Sequence, residues 1–220
     1  MAQFEVIDDE GVSFVKVTLN DETVRAESGA LCYHFGEIEV DARVPSLGKA
    51  FKSFLAEQSV VRPTYTGTGV LYLESSVGGF QIFDMDGNTW ILEPGAYWAS
   101  EADVELDLFR ERVMTSLLTG EGFILLRTKV SGSGRIVLKT DGPIEVIELK
   151  DQRLATDGDY VLARTEGISY RTKRSARSLV GSFLTGERRL RIYEGTGRIL
   201  LSSYPYWRQM LNAGKTARRG

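Results

Sequence analysis

Three glycine-centred turns recur along this chain at a spacing of about 64 residues, each followed by the same succession of strand-like segments. The turns are Glu27-Ser28-Gly29-Ala30, Glu93-Pro94-Gly95-Ala96 and Thr156-Asp157-Gly158-Asp159. Behind them run Leu31-Cys32-Tyr33-His34, Tyr97-Trp98-Ala99-Ser100 and Tyr160-Val161-Leu162-Ala163. Next come Ile38-Glu39-Val40-Asp41, Val104-Glu105-Leu106-Asp107 and Ile168-Ser169-Tyr170-Arg171, whose alternation suits strands with one buried face. No single copy is large enough to hide its apolar face from water. The copies must therefore share one interior.

A second marker keeps the same period. Gly67-Thr68-Gly69, Gly132-Ser133-Gly134 and Gly195-Thr196-Gly197 each stand between apolar, β-rich runs. That pattern predicts a tight turn joining two antiparallel strands. Between the two markers, Leu47, Ala50, Phe51, Phe54 and Leu55 fall on one face of a helix. The counterparts end at Leu117-Leu118-Thr119-Gly120-Glu121 and Phe183-Leu184-Thr185-Gly186-Glu187, where a glycine suits a helix stop. The first copy reads Leu55-Ala56-Glu57-Gln58 and lacks that glycine. The predicted fold is all-β: three internal β-sandwich-like repeats with short helices and pseudo-three-fold symmetry. The copies span about 18–80, 81–143 and 144–205 within a single domain, 1–211, and 212–220 reads as a frayed basic tail.

The segments Glu27-Ser28-Gly29-Ala30-Leu31, Leu118-Thr119-Gly120-Glu121-Gly122-Phe123 and Phe183-Leu184-Thr185-Gly186-Glu187 resemble the altered inheritance of mitochondria protein 24 family. The likeness runs from about Asp21 to Ser203. It implies a fold similar to the tryptophan RNA-binding attenuation protein, a double-stranded β-helix-like sandwich repeated within the chain. The family's mitochondrial relatives are linked to inner-membrane organisation. The shared segments are turns and helix stops, so they speak to fold and transfer no catalytic residue. The chain departs from the family pattern at Asp84-Met85-Asp86-Gly87-Asn88 and in its shortened first Leu-x-Gly-Glu element.

Composition narrows the chemistry. Among 220 residues there is one cysteine, Cys32, and one histidine, His34. An internal disulfide is excluded, and a cysteine-based zinc site or a multi-histidine metal centre lacks ligands. A lone thiol suits a reducing cytoplasm. No apolar run is long enough for a transmembrane helix, and the N-terminus lacks a secretory pattern. Any triad or histidine base would have to use His34, which on a strand faces the same side as Cys32. Such a pair is more often structural than catalytic. Asp84 to Asn88 opens like a calcium loop, but Glu93 falls short of the closing ligand position. Asp86-Gly87 between Phe80–Phe83 and Trp90–Leu92 instead predicts a hairpin turn. The Gly-x-Gly elements lack a P-loop lysine.

Charge is unevenly spread. Met1 to Arg110 carries about 19 acidic and 7 basic side chains, and the remainder about 11 and 20. Acidic and basic regions of different copies would attract one another. The basic excess also offers a polyanion-binding region at Arg171, Lys173, Arg174, Arg177, Arg188, Arg189 and Arg191, near Tyr170, Tyr193, Tyr204, Tyr206 and Trp207. Against it stands a solvated charged face. Trp90, Tyr97, Trp98 and Phe109 are equally readable as core or as a subunit interface. The expectation is a non-enzymatic homo-oligomer, trimeric or larger, without a cofactor or catalytic residues, serving as an assembly or scaffold protein. The alternatives are nucleic-acid or acidic-membrane binding through Arg171–Arg191, and, more weakly, a small ligand in a sandwich pocket near His34.

Overall fold

The computed structural model describes residues 1–42, 62–76, 78–113, 123–157, 160–173 and 190–202. Every regular element among them is a strand. The segments predicted as short helices (Leu47–Leu55, Leu117–Glu121 and Phe183–Glu187) lie outside these residues, as does the third turn glycine, Gly158. The chain divides into two compact units, Met1–Arg112 with Phe123–Thr140 and Val113–Gly122 with Asp141–Gly220.

The first unit holds β1 (Gln3–Asp9), β2 (Val12–Ala26), β3 (Leu31–Asp41), β4 (Thr64–Ser76), β5 (Phe80–Asp86), β6 (Trp90–Leu92), β7 (Tyr97–Glu101), β8 (Val104–Val113) and β9 (Phe123–Lys139). Strand β4 lies between β2 and β3 and pairs antiparallel with both. Strand β9 is flanked on one side by β5 and β6 and on the other by β7, and also pairs with β8. The second unit holds β10 (Ile144–Asp157), β11 (Val161–Thr165), β12 (Ile168–Lys173) and β13 (Leu190–Ser202). There β13 lies between β10 and the β11–β12 pair. In each group the middle strand is the last in sequence.

The first two predicted turns form as expected. Ala30 N–H donates to Glu27 O at 3.0 Å, and Ala96 N–H to Glu93 O at 3.1 Å. Gly29 and Gly95 occupy the third position with φ of 77° and 80°, where a β-turn of this kind needs a residue without a Cβ. The chain then returns as β3 and β7. The same cross-strand bond follows three times: Glu74 N–H to Ala30 O, Lys139 N–H to Ala96 O and Ser202 N–H to Tyr160 O, at 2.7, 2.8 and 2.7 Å.

The Gly-x-Gly elements correct the prediction. They are not hairpin turns but lie inside the long middle strands β4, β9 and β13. Glycine is needed there for close backbone approach. A Cβ on Gly67 would sit 2.1 Å from Glu37 O, and one on Gly195 would sit 2.5 Å from Gly167 O. Opposite them β2 and β10 each carry one extra residue, whereas β3 runs past Gly67 and Gly69 without one. Asn20 and Glu22 face Thr68 and Gly67, leaving Asp21 over, and Leu149 and Gln152 straddle the same bulge against Gly197 and Gly195. Asp21 and Asp151 take left-handed φ of 57° and 52°, a conformation that aspartate tolerates better than bulkier residues. Their N–H groups donate to Thr68 Oγ1 and Thr196 Oγ1, both at 3.0 Å.

A bulge advances the alternation by one residue, so the buried side of the strand changes parity. In β2 the buried set is Val15, Val17 and Leu19 before Asp21, then Val24 and Ala26 after it. The predicted hairpin at Asp86-Gly87 is also corrected: among the described residues β5 and β6 both pair with β9 and not with each other. Asp86 faces Ser133 and Trp90 faces Val130, so Gly87 to Thr89 form an irregularity along the edge of β9. A second bulge sits between Leu31 and Tyr33, between Tyr97 and Ala99, and between Val161 and Ala163.

The core of the first unit joins Phe4, Val15, Val17, Leu71, Leu73, Phe80, Trp98 and Val137 among others. Trp90, Tyr97 and Trp98 are all buried, which resolves the even choice between core and interface for these three. The second unit packs Leu149, Val161, Ile168, Tyr193 and Ile199 together. Two glutamates at the starts of the turns hold arginines. Glu27 Oε2 is 3.3 Å from Arg62 Nε, and Glu93 pairs with Arg127. Arg62 also lies 4.6 Å above the Tyr97 ring and donates to Thr128 Oγ1 at 2.7 Å.

Candidate interaction surface

Strand β3 is the outlier of the first unit. Its core-facing anchors are Leu31 and Ile38, which pack against the buried cluster, while most of its other side chains are exposed. Among the described residues it pairs with β4 alone. The register places Tyr33 opposite Tyr72 and Phe35 opposite Val70. On the far side of β4, Tyr72 and Val70 stand opposite Lys16 and Thr18 of β2. Alternation therefore puts Tyr33, Phe35, Val70, Tyr72 and Lys16 on the outer face, away from Val17 and Leu71.

On that face the aromatics meet. Tyr33 stacks on Tyr72 with centroids 4.6 Å apart and planes at 22°. Phe35 sets its edge toward both, at 5.7 Å from Tyr33 and 6.5 Å from Tyr72. Phe14 adds a fourth ring 6.1 Å from Tyr72. Such offset and edge-on pairs contribute about 0.5–1.5 kcal/mol each beyond area burial. Yet Phe35 is 65% and Tyr33 48% exposed, and Val40 further along the strand is 47% exposed. An aromatic group this open on an edge strand is what interfaces are built from, and is otherwise an association hazard. Its rim is charged: Glu37 and Glu39 are exposed, and Lys16 Nζ lies 3.2 Å from Glu5 Oε2.

His34 and Cys32 are both exposed on this edge strand, so neither lines a closed pocket. The bulge at Cys32 interrupts the alternation that would have put them on one side. Among the described residues no group of three His, Cys, Asp or Glu is placed to hold a metal.

The basic residues singled out in the sequence separate. Arg174, Arg177, Arg188 and Arg189 lie outside the described residues, with Tyr204, Tyr206 and Trp207, and Lys173 ends β12. Arg171 faces Ile192 and Arg191 faces Thr172 in the β12–β13 ladder. Neighbouring residues of a strand point to opposite faces, so Arg171 and Arg191 do not share one. Arg171 Nη2 bonds Glu194 Oε1 at 2.6 Å, while Arg153 approaches the same carboxylate at 3.6 Å. Tyr193 is buried and packs on Tyr170 rather than standing free to stack on a base.

The strongest electrostatics are internal. Arg127 is almost wholly buried between Glu93 and Glu111, with its Nε 2.5 Å from Glu111 Oε2. Burial pulls its pKa down, but the two carboxylates outweigh burial and leave it above the usual arginine range. Glu27 is raised because burial disfavours its charge more than Arg62 favours it. Tyr97 is raised by complete burial, with its hydroxyl 2.9 Å from Ser100 Oγ. These groups are buried or partly buried among the strands, where they tie neighbouring segments together.

The described residues make an all-β, antiparallel protein with long middle strands and an aromatic cluster exposed on the edge strand β3. Comparison carries this further. The model of the mitochondrial biogenesis AIM24 family matches residues 4–204, and the chain belongs to that family, as its turn and Leu-Thr-Gly-Glu segments implied. A Streptococcus pyogenes protein solved by X-ray crystallography is similar in fold at 19% identity, with a TM-score of 0.72 over 99% of both chains. No curated protein matches the chain. Among the described residues no helix is long and apolar enough to cross a membrane.

Proposed function

We propose that this chain is a non-catalytic assembly protein that associates with copies of itself through the outer face of β3 and β4. The carrying observation is the exposed ring cluster of Phe14, Tyr33, Phe35 and Tyr72 on a strand with one open edge. Opposite charge supports it, since the acidic excess lies before Arg110 and the basic excess after it. We further read the chain as three copies of one three-stranded unit with pseudo-three-fold symmetry. The recurring register supports this. Leu19, Met85 and Leu149 all face the second glycine of a Gly-x-Gly, namely Gly69, Gly134 and Gly197. Family membership supports a role related to mitochondrial biogenesis, and a lone exposed thiol suits a reducing, cytoplasmic setting.

The test is a paired one. The wild-type chain is expected to show an oligomeric mass by light scattering over a wide concentration range. The double variant Tyr33→Ser/Phe35→Ser is expected to run as a single chain. Its unfolding free energy should drop by no more than about 1–2 kcal/mol, because the residues are exposed and lose mainly mutual stacking. A wild-type chain that is monomeric throughout ends this reading.

A further inference from the structure

Resting on the self-association just proposed, we infer that the contact is heterologous. The open edge of β3 in one copy, Tyr33-His34-Phe35, pairs antiparallel with Leu154-Ala155-Thr156 of β10 in a second copy. The first unit shows what this pairing looks like. Beyond its ladder with β4, the end of β2 reaches a second partner, with Val24, Arg25 and Ala26 facing Glu101, Ser100 and Ala99 of β7.

Register identifies the counterparts of both sides. Val24 faces Tyr65, two residues before Gly67, and Leu154 faces Tyr193, two residues before Gly195. The segment Leu154–Thr156 therefore stands in β10 where Val24–Ala26 stands in β2. Ser100 faces Ile136, two residues after Gly134, and His34 faces Leu71, two residues after Gly69. Tyr33–Phe35 therefore stands in β3 where Ala99–Glu101 stands in β7. The bulge before each of these segments, at Leu31/Tyr33 and Tyr97/Ala99, falls at the same place. Among the described residues, β13 is the only partner strand of β10, and β4 that of β3.

Charge fits the direction. Past Phe35, β3 continues through exposed Glu37 and Glu39, and before Leu154, β10 brings exposed Lys150 and Arg153. Antiparallel pairing sets these two stretches side by side, with Asp151 held in the bulge between the basic residues. Backbone ladder bonds supply affinity, and the Tyr33–Phe35 rings supply buried area. Each such contact joins two different edges, so repeated from copy to copy it closes into a ring or runs on as a filament.

The experiment uses the full chain in a Cys32→Ser background. One preparation carries His34→Cys and another carries Ala155→Cys, both at exposed positions. Mixed and treated with a short bis-maleimide, they are expected to give a covalent dimer that neither preparation gives alone. Cross-linking of the His34→Cys chain with itself means β3 meets β3 and overturns the pairing. An oligomer by light scattering without a cross-link in the mixture also overturns it, while the assembly reading stands. A chain monomeric at every concentration overturns both.

Discussion

Gly67→Ala is expected to lower the unfolding free energy by about 3 kcal/mol or more, whereas Gly29→Ala should lower it by only about 1 kcal/mol. Both glycines have positive φ, 138° and 77°. They differ in what a methyl group would meet. At Gly29 nothing lies within 4 Å, so only the conformational cost remains. At Gly67 the methyl carbon would sit 2.1 Å from Glu37 O and 3.3 Å from Ile38 Cα, both backbone atoms fixed by the β3–β4 ladder. The only relief is to move β3 off β4, which also displaces Ile38 from the core. Urea midpoints of the two variants decide the matter. Equal losses would show that close approach plays no part at Gly67.

Arg127→Met is expected to cost about 3–5 kcal/mol, since it removes the guanidinium that the partly buried Glu93 and the buried Glu111 share. The triple variant Arg127→Met/Glu93→Gln/Glu111→Gln should recover most of that loss. Removing a whole buried charge group is far less damaging than removing one member, because the desolvation cost leaves with the charges. If the triple variant is no more stable than the single one, packing around Arg127 rather than charge pairing explains the loss. The measurement is thermal and chemical unfolding of the three proteins side by side.

What could be read from the sequence was whatever depends on neighbours along the chain. The turns at Gly29 and Gly95 were legible because a β-turn is a four-residue event with a glycine in a required place. Strands after them were legible from alternation. The Gly-x-Gly elements were misread because glycine answers two demands that look alike locally. It permits a tight turn, and it permits a second backbone to pass close by. Only the partner strand distinguishes them, and Glu37 lies far from Gly67 in sequence. The one-residue bulges at Asp21 and Asp151 were hidden for the same reason.

The candidate surface was half legible. Tyr33 and Phe35 alternate with His34, so their sharing a face followed from strand geometry. That this face is the uncovered one did not follow, because alternation says which residues lie together and not which side is covered. Trp90, Tyr97 and Trp98 have the same composition of large rings and are buried. The basic cluster failed in the opposite way. Arg171 and Arg191 are close in space on adjoining strands, yet their register sends them to different faces.

The middle strand of each group comes after the strands it joins: β4 after β2 and β3, β9 after β5 to β8, β13 after β10 to β12. On the ribosome the outer strands therefore emerge with no ladder to enter, and wait for the strand that completes them. Non-local pairing of this kind folds slowly and leaves sticky edges bare in the meantime. A translation pause or stop codon just ahead of Thr64, Phe123 or Leu190 would strand the nascent chain at its most aggregation-prone length.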